Sequence, residues 1–246
     1  MTSAAASFSN NVPILLLPPS EGKAEGGIGA AWEPSEGAFG IPLGAARMTV
    51  ASALAQVRGG DERMLGVRGG ALDRGRAANR TVIGAPTMTA WQRYTGVVWT
   101  ALDPVSVRAV DRRRIIVVSG LLGLVRGDDP VPDYRLKMAA SLPPLGKLST
   151  WWRDEVSAAL VATAKRGRPR RTVIDLLPLE HRAALDPDAL TEVHAVRVDL
   201  VTADGRAGGH GGKAAKGELA QALLTEGTSA LDTWDHPEYH LDVTDL

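Results

Sequence analysis

Cysteine is absent from all 246 residues. That absence excludes a disulfide framework, a thiolate nucleophile, Cys-ligated zinc and Cys-held iron–sulfur clusters. Aromatic residues are scarce, at 4%. Net charge is missing too: 28 Lys and Arg stand against 28 Asp and Glu. Whole-chain electrostatics therefore gives no reason to expect a nucleic-acid partner, and any such case must rest on local patches. No long apolar run occurs near the start, where Val12 to Pro19 is far too short to span a bilayer. No basic residue precedes that run, which argues against a secretory signal peptide. The five histidines are scattered without a metal-ligand spacing, and Pro237 interrupts the His236/His240 pair. The reading is a soluble cytoplasmic protein with no membrane partner, no metal and no cofactor.

What is present suits a globular chain. Hydrophobic residues make up 44% and charged residues 23%, and a chain of this length buries enough surface to fold without a staple. Met1–Asn11, rich in Ser, Ala and Asn, reads as a flexible leader. No break in composition divides the rest, so 12–246 is read as a single domain.

Val12–Leu17 and Ile115–Ser119 are the clearest buried strands. Ser20–Gly44 holds seven glycines and two prolines and reads as a loop. Ala45–Val57 is helix-compatible, Asp61–Leu65 allows one more turn, and Gly69–Arg80 has no clear assignment. Pro86–Tyr94 reads as a short helix leading into a strand at Thr95–Ala101, and Pro104–Arg113 as a helix. Gly120–Met138 reads as a loop. Leu148–Ala164 is the best amphipathic helix. Strands follow at Thr172–Leu176, Thr191–Val201 and Tyr239–Val243, with helices from Leu179 and over Lys213–Leu224. Strands alternating with helices predict an α/β (mixed α+β) fold, a central mixed sheet flanked by helices.

Four segments carry chemistry, each with a plainer reading beside it. Pro18-Pro19-Ser20-Glu21-Gly22-Lys23 follows the first strand, where Lys23 could hold a phosphate or be a solvated loop lysine. The P-loop and dinucleotide spacings are both absent. The segment from Ser119 to Met138 presents Arg126, Asp128, Asp129, Asp133, Tyr134, Arg135 and Lys137. It is either a surface loop stapled by Arg–Asp pairs or a polar pocket in which Arg126 and Arg135 grip an anion. Lys213 and Lys216 share a helix face and could attract an anion. Lys165–Arg171 packs five positive charges into seven residues, as a phosphate contact or as a solvated turn. The tail from Glu226 is acidic, with six carboxylates and no Lys or Arg.

Taken in order, these segments resemble the YaaA family of peroxide-stress resistance proteins. Lys23 matches the lysine of that family's opening motif. Tyr94-Thr95-Gly96-Val97 with Thr100-Ala101-Leu102 resembles its second segment. Across Ser119–Met138 the fit includes Ser119, Gly120, Leu121, Gly123, Leu124, Arg126, Asp129, Tyr134, Arg135, Leu136 and Met138. Leu148–Leu160, Thr172–Glu180, Lys213 and Lys216-Gly217 complete it. The chain departs from the pattern at Leu122 and His181, which replace tyrosines, at Gly127-Asp128, and at Lys216, which replaces an arginine. The resemblance implies a compact mixed α/β fold with a positively charged cleft, DNA binding, and protection against peroxide through limiting unincorporated iron. It implies no catalytic reaction.

On this reading Lys23, Arg126, Tyr134, Arg135, Lys213 and Lys216 line one basic cleft that contacts DNA, duplex or single-stranded. The alternative is an enzyme acting on a nucleotide or nucleobase in the same cleft, with Lys23 and Tyr134 as candidate acid/base groups.

Overall fold

The computed structural model describes residues 12–166, 171–205 and 210–246. The leader read over 1–11 lies outside the described residues, as do 167–170 within the basic run. The first half of the chain forms β1 (Ile14–Leu17), α1 (Gly40–Gln56), α2 (Glu62–Leu65), α3 (Gly69–Arg80), β2 (Thr87–Thr89), α4 (Ala90–Arg93), α5 (Val97–Leu102) and α6 (Ala109–Arg112). Next come β3 (Ile115–Ser119), β4 (Gly123–Arg126), β5 (Pro130–Pro132), β6 (Ser141–Leu142), β7 (Gly146–Lys147), α7 (Leu148–Trp151) and α8 (Arg153–Lys165). The rest comprises β8 (Val173–Asp175), α9 (Leu179–Arg182), α10 (Pro187–Leu190), β9 (Ala195–Thr202), α11 (His210–Glu226), α12 (Ala230–Thr233) and β10 (Tyr239–Asp245).

A six-stranded sheet with the order β10-β9-β8-β1-β3-β4 forms the centre, flanked by helices, as the pattern of runs predicts. The four inner strands are parallel, and β10 and β4 close the edges antiparallel. Leu15 stands opposite Ile115 on one side and Ile174 on the other. Ile14–Leu17 are at most 1% exposed, which is why a strand covered on both faces reads as a continuous apolar run. Among the described residues no helix is long and apolar enough to cross a membrane.

Several local readings change. Thr95–Ala101 is not a strand: α5 occupies Val97–Leu102. Gly217 of α11 lies so close that an added Cβ would sit 2.3 Å from the Val98 carbonyl oxygen, so helix–helix packing overrides the β-branched preference. Gly69–Arg80, unassigned from sequence, is helical. The Gly/Pro-rich stretch ends early, because α1 begins at Gly40 and holds Pro42 in its first turn, where a missing N–H costs nothing. Gly120–Met138 is not all loop. Gly123, at φ 63°, turns the chain so that β4 pairs back on β3, and β5 pairs with β2.

Strand order places the site. The chain leaves β1 toward β3 but leaves β8 toward β9, on the opposite side. The loops after β1 and β8 therefore diverge and open a crevice at the carboxyl ends of the strands, where open α/β sheets hold ligands.

Candidate functional site

A cavity of about 460 Å³ occupies that crevice, within the 300–1,000 Å³ of small-molecule sites. Its walls come from Pro18–Lys23 after β1, α5, Arg135–Lys137, the β8–α9 loop and the start of α11. A second cavity of about 140 Å³ adjoins it, and Glu21, Lys23 and Arg135 line both.

The Lys23 loop is held from one side by the segment around Tyr94. Lys23 and Tyr94 form an isolated β-bridge, and the Ala24 N–H donates to the Arg93 carbonyl at 2.9 Å. The Thr95 N–H donates to Ser20 Oγ at 3.0 Å. Only glycine fits at position 96, since a Cβ there would meet Ser20 Cβ at 2.7 Å. The fully buried Arg93 guanidinium donates to the carbonyls of Ala24, Gly26 and Val131, which ties the loop to β5. A cation inside a cage of carbonyls is a structural clamp rather than a ligand group.

Lys23 itself is half-buried. Its ammonium donates to the Ser20 carbonyl at 2.9 Å and lies 4.3 Å from the centre of the Tyr134 ring. Burial pulls the amine down to about 7; Asp133 and Glu21 oppose the shift, while Arg135 and Arg93 add to it. Below the lysine, the Tyr134 hydroxyl meets Ser119 Oγ at 2.7 Å and the Tyr94 hydroxyl at 3.0 Å. Ser119 Oγ already accepts the N–H groups of Leu121 and Leu122. Both its lone pairs are thus engaged, so Ser119 donates to Tyr134 and Tyr134 donates to Tyr94. Burial raises both phenols, Tyr134 to about 12. They remain protonated at neutral pH.

Arg135 is anchored in place. Its backbone N–H donates to Asn79 Oδ1 at 2.8 Å, and its Nε donates to the Leu65 carbonyl at 3.1 Å. Its outer nitrogens reach the Glu21 carbonyl at 3.3 Å and Glu21 Oε2 at 3.1 Å. Lys137 Nζ stands 4.0 Å from Glu21 Oε1. The exposed Glu21 carboxylate therefore satisfies both cations on a solvent-facing lip, where an incoming anion can displace it.

On the opposite wall, Lys216 donates to the Leu176 carbonyl at 2.7 Å, and Lys213 is exposed at the rim. Burial lowers the Lys216 amine, with Asp199 and Asp175 opposing and Arg182 adding to the shift. Arg182 bridges Asp175 at 2.6 Å and Asp199 at 3.0 Å, and so locks α9 to the end of β8 and to the middle of β9. Next to it His181 is 7% exposed, and burial takes its imidazole down to about 4. Among the described residues its Nδ1 has no hydrogen-bond partner, and Glu180 Oε1 lies 3.7 Å away.

Of the residues singled out in the sequence, Lys23, Arg135, Lys213 and Lys216 line the larger cavity and Tyr134 lines the smaller one. Arg126 does not join them. It lines neither cavity, and Nη2 pairs with Asp128 at 3.2 Å on the edge strand β4, where Arg113 shares the same carboxylate. Sequence reasoning passed over Arg93, Lys137 as a cavity residue, and His181. For His181 the sequence offered its place just past a strand end, which many surface histidines share, and its standing where the resembled family has a tyrosine.

The family described as "Peroxide stress protein YaaA" matches residues 47–243. A UPF0246 protein of Streptomyces coelicolor is 37% identical over 227 residues, covering 88% of this chain and 84% of that protein. A UPF0246 protein of Corynebacterium glutamicum is 34% identical over 219 residues, covering 85% and 84%. The matched span takes in Tyr94, Tyr134, Arg135 and the α11 lysines, and the Streptomyces relative is similar across most of the chain. This chain belongs to the YaaA peroxide stress protein family.

Proposed function

We propose that the crevice binds DNA through its phosphates, and that the protein acts in the cytoplasm during peroxide stress to limit iron-driven damage. One observation carries this reading. Five cationic side chains, Lys23, Arg135, Lys137, Lys213 and Lys216, converge on one cavity against two carboxylates, Glu21 and Glu180, although the chain as a whole is neutral. An anion site needs several donors within reach of one ligand. Apolar walls from Val97, Val98, Trp99 and Leu136 add a surface against which a base or sugar can lie.

Fluorescence anisotropy with duplex DNA, single-stranded DNA and mononucleotides tests the proposal. DNA binding with a slope of log affinity against log salt of about −2 to −5 is the expected result, as few counterions are released. Absence of binding to either DNA form at low salt overturns it.

The second reading is an enzyme acting on a nucleotide or nucleobase. The concave cavity, large enough for one nucleotide and holding an amine that titrates near neutrality, favours it. In that case Lys23 is the acid/base group and Tyr134 orients it. Mononucleotide binding without DNA binding selects this reading.

A further inference from the structure

We infer that Lys23 is a nucleophilic amine that captures the aldehyde of a phosphate-bearing sugar as an imine. This rests on the proposal that the crevice holds a phosphate-bearing ligand, and it adds a covalent step to that binding.

The geometry separates Lys23 from the other cations of the site. Arg135 and Lys137 share Glu21, Lys213 is exposed at the rim, and Lys216, which like Lys23 donates to one carbonyl, lines only the larger cavity. Among the described residues Lys23 has no ion pair, and the Ser20 carbonyl is its single hydrogen-bond partner. Its loop is immobilised by the β-bridge to Tyr94, so the side chain is presented from a fixed backbone. Because it lines both cavities, Lys23 stands where they meet, with space on either side for a carbonyl group. A lysine that served only as a phosphate contact needs a full charge. Here the Arg135 and Arg93 guanidiniums oppose that charge and burial weakens it, which leaves a substantial share of free amine at neutral pH. Desolvation and a neighbouring cation are the means by which an amine is made nucleophilic toward carbonyl carbon. Lys213 and Lys216 across the cavity, with Arg135 beside it, supply the phosphate anchor.

The step balances without a redox partner. The Nζ lone pair attacks the aldehyde carbon, and the C=O π electrons move to oxygen, which takes a proton. The nitrogen loses one proton to give the carbinolamine; the hydroxyl then takes a second proton and leaves as water, C=N forms, and the nitrogen gives up its second proton. One amine and one aldehyde give one imine and one water. The aldehyde has two sources of the same chemistry, the ring-opened abasic deoxyribose within DNA or a free sugar phosphate.

Cyanoborohydride trapping of the full chain tests this. The probes are a duplex carrying one abasic site, the same duplex intact, and glyceraldehyde 3-phosphate, with peptide mass mapping of the reduced adduct. The expected result is a secondary-amine adduct at Lys23, reduced at least about tenfold in Lys23→Arg, because a guanidinium keeps the charge but is no nucleophile. Trapping with the abasic duplex alone assigns the DNA source, and trapping with glyceraldehyde 3-phosphate alone assigns the free sugar. Adducts spread over exposed lysines, or none on any probe, overturn the inference; mapping on the unmodified chain gives this answer even if the variant misfolds. Anisotropy with the intact duplex, run without reductant, keeps the two ideas apart. Binding without trapping defeats the imine and leaves the DNA reading standing, whereas trapping of the sugar phosphate without duplex binding does the reverse.

Discussion

The hydroxyls of Tyr94 and Tyr134, forty residues apart in the chain, meet at 3.0 Å beneath the lysine of the β1 loop. Ser119 at the end of β3 supplies the proton at one end of this relay, so the floor of the site is fastened to the central sheet. Two scattered segments of the chain are thereby brought to a common depth.

Removing the middle member of the relay should cost stability. Tyr134→Phe leaves the buried Ser119 hydroxyl without an acceptor and Tyr94 without a donor. The expected loss is about 2 kcal/mol, a fall in Tm of about 4–8 °C for a chain this long. Thermal and urea unfolding give the number, and an unchanged midpoint would mean that the relay does not bear on the fold.

The lysine sets a pH dependence of known sign. Lys23 has its ordinary value of 10.5 in the unfolded chain and about 7 in the fold, so the unfolded chain binds more protons between those values. Its contribution to stability therefore rises with pH from about 7 to 10.5 and is flat below 7, where both states are charged. Phosphate affinity runs the other way and weakens as pH climbs through 7, since the cation is lost. The groups facing Lys23 do not mask this: Tyr94 and Tyr134 stay protonated, Glu21 and Asp133 attract, and Arg93 and Arg135 repel. His181, neutral in the fold above about pH 4, adds no slope to ligand binding near neutrality. Anisotropy titrations at pH 6 to 8.5 on the parent and Lys23→Met should show the slope in the first and its loss in the second.

Two arginines that look equivalent in sequence should behave differently. Arg135→Ala removes a preorganised fork from the cavity wall and should weaken DNA binding by roughly 1–3 kcal/mol, the scale of a charge-assisted hydrogen bond. Arg126→Ala, at the end of β4, removes one of the two arginines paired with Asp128 and leaves Arg113 in place, and should change affinity by less than about 0.5 kcal/mol. Matched titrations at one ionic strength decide it, and a larger effect at Arg126 would move the site to the sheet edge.

Gly217 provides a test in which two principles pull in opposite directions. Helix propensity alone favours Gly217→Ala by up to about 1 kcal/mol. The added methyl, however, would lie 2.3 Å from the Val98 carbonyl oxygen and 2.7 Å from Ala101 Cβ. Overpacking of this kind costs about 1–3 kcal/mol. Net destabilisation is expected in urea melts, together with weaker ligand binding because Lys216 moves with the helix; a stabilised variant would show that α5 yields easily.

The parallel core was legible because its chemistry is one-dimensional. ILLL of β1 and the first four residues of β3, IIVV, are apolar at every position, and strands buried on both faces must be. The Lys23, Arg135 and Lys216 candidates were legible for a related reason, since each follows a strand end or opens a helix face. The failures arise where the deciding contact is distant in sequence. Nothing in VVWTAL shows that Gly217, more than a hundred residues on, lets a helix lie against it. Arg126 resembles Arg135 until Asp128 is seen to hold it. Arg93 carries no local sign of the carbonyl cage that buries it, and the unpartnered Nδ1 of His181 is a property of its surroundings alone.

The cavity walls are drawn from residues 18–23, 65, 96–99, 135–137, 178, 180–181, 212–213 and 216, so no contiguous stretch of chain contains the site. A partly opened molecule that releases α11 or the β1 loop has no site left to offer. Occupancy is therefore a gauge of global integrity. A ligand at a hundred times its Kd holds the chain folded by about 2.7 kcal/mol. That protection should appear as slowed amide exchange in β1, β3, β8 and α11 together, in places no ligand atom touches.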